Sequence, residues 1–189
     1  MAVFSRTSLI TELLDRTELL KASTQVFFRL TDEQLQYRCA PDKWCIAEIY
    51  GHLNLSMDAN IRTILSRIAK APDHPGDAYV SGWLGDWVYS VIMPRPDGSV
   101  FRLKARKTEC PPNDLAELDP REALGAFQRH CDSLDDILRH VATKDLRRIS
   151  VPFVRPGLVC LRLGDMLRYL VAHGERHLLQ AQRVMAGFA

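Results

Sequence analysis

"RLGDMLRYLVAHGERHLLQAQRV", residues 162–184, decides the fold. From about Leu163 to Met185 the apolar residues Leu163, Met166, Leu167, Leu170, Leu178, Ala181 and Met185 recur with helical period. His173 and His177 interrupt this stripe, four residues apart. On a helix, that spacing puts both imidazoles on one face, one turn of ~5.4 Å above each other. Buried without partners, two neutral imidazoles cost free energy. A shared divalent cation removes that cost, and so do ordinary hydrogen bonds within a core. Two imidazoles do not make a tight site, so a third ligand must come from another helix.

Three further stretches carry the same period. Residues 7–29 place Leu9, Leu13, Leu20 and Phe27 on one stripe. Residues 46–70 repeat Ile49, Leu53, Met57, Ile61, Ile64, Leu65 and Ile68. A third opens at Asp119, a good N-cap, followed by Pro120, a good first residue. It continues through Leu124, Phe127, Cys131, Leu134, Ile137, Leu138 and Val141. Thr31 and Gln34 have the offset of a capping box and open one short turn. Four long amphipathic helices predict an all-α four-helix bundle, a single domain over residues 1–189.

The long insertion between the second and third helices, 71–118, is expected to hold structure of its own. "GWLGDWVYSVIM", 82–93, reads as a short helix, "PDGS", 96–99, as a turn, and "VFRLKAR", 100–106, as extended chain. Trp83, Trp87 and Tyr89 can wall a pocket, although ordinary core suits each alone. "RISVPFV" and "GLVCLRL" around "RPG" suggest a small β-hairpin.

Composition excludes several classes. There are 25 Lys and Arg against 23 Asp and Glu, and the most basic run, "RLKARK", is short, so no nucleic-acid partner is expected. No stretch approaches the ~20 apolar residues of a membrane span. Five cysteines without a CxxC motif argue for a reducing, cytoplasmic setting.

The third ligand is expected to be His52, at the border of the second helix's apolar stripe. His74 lies in a breaker loop, and His130 and His140 neighbour charged residues and read as solvent-facing. "DKWCIAEIYGHLNLSMD", 42–58, together with residues 162–184, resembles the DinB/YfiT-like family of metal-dependent bundles. In that family a Trp precedes the second helix, a His follows eight residues later, and the fourth helix carries His-x-x-x-His with Gln close behind. Here these are Trp44, His52, His173, His177 and Gln180. Cys45 departs from the pattern, where the family usually places a capping Ser.

The resemblance implies an up-down-down-up bundle, often a homodimer. It also implies one divalent metal (Zn, Ni or Fe) on His52, His173 and His177, with positions left open to water or ligand. For activity it implies S-transfer or isomerisation with a low-molecular-weight thiol, or hydrolysis of a small-molecule substrate. A non-catalytic metal- or ligand-binding bundle is the alternative. Glu48, one turn before His52, is the candidate catalytic carboxylate, able to orient that histidine or reach a metal-bound water, unless it simply faces solvent. Glu175 and Arg176, between the two histidines, read as helix surface.

Overall fold

The computed structural model describes all residues except 70, 96, 102, 106, 113, 155–158 and 189. Among the described residues it contains β1 (Val3–Ser5), α1 (Arg6–Thr24), α2 (Asp32–Leu35) and α3 (Ile46–Ile68), then β2 (Ala78–Val80) and α4 (Trp83–Ile92). The chain continues through α5 (Pro120–His140), β3 (Ser150–Val154), β4 (Val159–Arg162) and α6 (Leu163–Ala186).

Local chemistry sets the helix ends. The Ser5 hydroxyl accepts from the Ser8 amide at 3.1 Å and starts α1, with Asp77 accepting from the Thr7 amide at 2.9 Å. After Thr24 the helix tightens into a 3-10 turn over Gln25–Arg29. The capping box at α2 is complete: Gln34 N donates to Thr31 Oγ1, and Thr31 N to Gln34 Oε1. At α5, Asp119 accepts from the amides of Arg121 and Glu122, and Pro120 fills the first turn, as the sequence predicts.

Specific contacts fix the directions of the four long helices. Arg168 of α6 lies over the Phe4 ring just before α1, and one turn or more along both helices Arg16 pairs with Glu175, so α1 and α6 run parallel. Arg121, at the start of α5, donates to the carbonyls of Phe28 and Leu30, while Lys21 pairs with Asp132 at 2.6 Å. Moving back along α1 thus means moving forward along α5, and the two are antiparallel. Asn54 of α3 donates to the Ala123 carbonyl, and further on Leu65 and Ile68 share a groove with Ser133 and Ile137, so α3 and α5 run parallel. The order is up-down-down-up.

Inside, Phe27, Tyr50 and Phe127 form an edge-to-face cluster, with centroids 5.8 Å and 5.1 Å apart across the central Tyr50. The Tyr50 hydroxyl meets Thr24 Oγ1 at 3.1 Å, which satisfies a buried phenol. The short helix expected in the insertion is α4. It packs on α6 through Gly85, where a Cβ would sit only 2.1 Å from Asp165 Cγ. The predicted hairpin is β3 with β4, antiparallel, leading directly into α6. Its turn residues, 155–158, lie outside the described residues, as do Pro96 of the expected turn and Arg102 and Arg106 of the expected extended run. A second antiparallel pair, β1 with β2, joins Val3 to Val80 and was not expected. Among the described residues no helix is long and apolar enough to cross a membrane.

Candidate metal centre

Two elements bring the histidines together. His52 sits in the second turn of α3, and His173 and His177 sit on consecutive turns of α6. All three are buried. One ligand atom from each lies within 4.8 Å of the others. Nε2 of His173 is 3.3 Å from Nε2 of His52 and 3.1 Å from Nε2 of His177.

Hydrogen bonds on the far side of two rings determine what those nitrogens are. His52 Nδ1 is 2.7 Å from the Glu109 carbonyl, which can only accept, so Nδ1 carries the proton. His177 Nδ1 is 2.9 Å from Gln180 Oε1, with the same consequence. Burial pushes the His52 imidazolium pKa down, only partly offset by the Glu109 carbonyl. Burial, with the nearby His52, pushes His177 down to about 3. Both rings are therefore neutral at neutral pH, and each turns an Nε2 lone pair inward.

This geometry fits a divalent metal. His173 Nε2 has at most one proton to give, so at most one of its two short contacts can be a hydrogen bond. A cation satisfies all three lone pairs at once. Tetrahedral coordination with metal–nitrogen bonds of ~2.0–2.1 Å separates neighbouring ligand nitrogens by ~3.3–3.4 Å, close to the two separations from His173 Nε2, 3.3 Å and 3.1 Å. The three histidines can thus hold one metal ion, with Glu109 O and Gln180 fixing the outer nitrogens of two of them.

The site faces a cleft of about 440 Å³. Trp44 flanks His52, ring centroids 5.1 Å apart, and Tyr169 stacks on His173 at 5.3 Å. Val88, Ile92, Leu103 and Phe153 supply apolar wall, and Glu109 and Arg176 supply charge.

A model of the DinB superfamily matches residues 16–181. The chain belongs to the DinB superfamily. No curated protein and no solved structure matches it.

Within this DinB-superfamily chain, the structure departs from the sequence reading at several residues. Glu48 is buried, and its carboxylate is held at the start of α3. Its oxygens accept from Arg38 Nε at 2.8 Å, Arg38 Nη2 at 2.5 Å and the Cys45 amide at 2.9 Å. It is the N3 residue of the α3 cap, and it neither joins the ligand cluster nor lines the cleft. A catalytic role for Glu48 finds no support in this geometry. Cys45, at the cap, is fully buried, and burial pushes its thiol pKa up to about 12. Glu175 is not free surface, since it pairs bidentately with Arg16 at 2.7 Å. Trp83 and Trp87 are 73% and 59% exposed, so neither is core, and Trp87 edges the cleft. His130 is half-buried against Asn54, while His140 faces solvent as expected.

Sequence reading missed Tyr169, Arg176 and Glu109. For the first two a signal existed. Tyr169 lies four residues before His173, and Arg176 three after it, so both share the histidine face of α6. Glu109 offered none, because its place depends on how the insertion folds back over α3.

Proposed function

We propose that this protein is a metal-dependent enzyme acting on small molecules, an S-transferase or isomerase that uses a low-molecular-weight thiol, or a hydrolase. The observation that carries this reading is the convergence of three histidine nitrogens beside an open cleft. Structural metal sites close their coordination shell with protein ligands, whereas catalytic ones keep a position for substrate. A divalent metal (Zn, Ni or Fe) held there supplies Lewis acidity, which lowers the pKa of a coordinated water or thiol.

The chain's residues supply the rest. His52, His173 and His177 give three neutral donors, so the ion's charge stays uncompensated and favours an anionic ligand. The Glu109 carbonyl and Gln180 keep two rings in the ligating tautomer. Leu103, Phe153 and Trp87 give the cleft an apolar wall.

The test is a conjugation assay on metal-loaded protein, with 1-chloro-2,4-dinitrobenzene and a panel of low-molecular-weight thiols, run beside ester hydrolysis. Turnover that disappears in His177→Ala supports the enzyme. Full metal occupancy without turnover on any substrate favours a binding protein instead.

A further inference from the structure

Arg176 is a half-buried cation whose hydrogen bonding is incomplete. It sits on α6 between His173 and His177, and its side chain lines the cleft. Nη2 donates to the Phe101 carbonyl, which anchors the guanidinium against the segment above it. Nη1 is screened from solvent and makes no hydrogen bond. No carboxylate of the described residues forms an ion pair with Arg176, unlike Arg16, Arg38 and Arg168, which are each paired. Arg176 thus brings to the cleft wall a cation with no carboxylate partner among the described residues.

We infer that Arg176 receives a carboxylate of the ligand, so that the site takes small organic acids whose reacting end lies at the histidine cluster. The inference rests on the cleft being the binding site of the proposed function. Guanidinium presents its N–H groups in a planar fork that matches a carboxylate. The rest of the cleft favours a monoanion. Lys104 at the mouth is exposed, Lys43 is held by Asp42 at 2.8 Å, and Val88, Val91, Ile92, Leu103 and Phe153 are apolar. A half-buried Arg176 beside apolar wall suits one carboxylate on an apolar body better than a multiply charged phosphate.

The experiment compares phenylacetate with phenylacetamide, which differ in charge and little in shape. Trp44 and Trp87 line the cleft, so tryptophan fluorescence reports binding. Both ligands are titrated into zinc-loaded and metal-free protein. The wild type is expected to prefer the acid at least tenfold in each form. Arg176→Gln should reduce that preference to threefold or less in metal-free protein, and by at least fivefold in zinc-loaded protein, at unchanged zinc content. Arg176→Lys should keep part of it, and the zinc content and melting temperature of each variant check that it folds. Equal affinity of the wild type for the two ligands, no saturable binding of the acid, or a preference that survives in Arg176→Gln overturns the inference. Wild type that takes up no zinc defeats the metal reading alone, because the metal-free titration still reads Arg176.

Discussion

The tautomers of His52 and His177 are set by single acceptors, and this makes the site testable one residue at a time. Replacing Gln180 with Leu removes the acceptor on His177 Nδ1 and frees the ring to rotate or change tautomer. Metal affinity should fall about 10- to 100-fold, as for other residues that orient a ligand from behind, while the fold stays intact. Competition with a chromophoric chelator measures this. Glu48 makes the opposite case, a residue near the site whose work is structural. Burial by itself would raise its pKa, but the Arg38 guanidinium and the Cys45 amide outweigh burial and hold it below the usual carboxylate value. Its contribution to stability is therefore present above the ordinary carboxylate range and is lost as pH falls through the lowered folded value. Glu48→Gln should cost about 1–3 kcal/mol at pH 7. That difference should shrink as the pH falls toward 3, as read from urea midpoints, and metal content should not change.

At the scale of elements, periodicity made the four long helices and their caps legible, because local residues decide both. Asp119–Pro120 and Thr31–Gln34 do in the structure what their spacing implies. The pair β1–β2 was not legible. It joins residues 3–5 to 78–80, three residues a side, and the register is set by contacts distant in sequence. The position of α4 was hidden for the same reason, although its helical character was not. It depends on Gly85 meeting Asp165, whose Oδ2 accepts from the Gly82 amide at 2.8 Å at the start of α4. Gly85→Ala drives a methyl group into Asp165 and should push α4 off α6. A loss of about 1–3 kcal/mol in chemical denaturation is expected. Because Val88 and Ile92 of α4 wall the cleft, ligand binding should weaken as well. A variant as stable as wild type would show that α4 docks by other contacts.

For the whole molecule, the core is sufficient without a metal. The buried cluster runs through all four long helices and the hairpin, and a chain of 189 residues buries enough apolar surface to fold unaided. Stripping the metal should therefore leave the far-UV circular dichroism helical and the thermal transition cooperative, at a lower midpoint. Collapse of the helical signal on chelation would mean that the ion is structural. The site was legible in sequence where one helix carried it: His173, His177 and Gln180 lie within two turns of α6, and His52 stands behind Trp44. Its surroundings were not, because Glu109, Leu103 and Phe153 reach the cleft only through the folding of the insertion and the hairpin. The account depends on the three histidines holding an ion. Elemental analysis of tag-free protein tests this most directly, on wild type and His177→Ala after incubation with Zn, Ni or Fe and removal of unbound ion. About one metal per chain in wild type and almost none in the variant is the predicted result. Wild type that holds no stoichiometric metal, or a variant that keeps full occupancy, would contradict it.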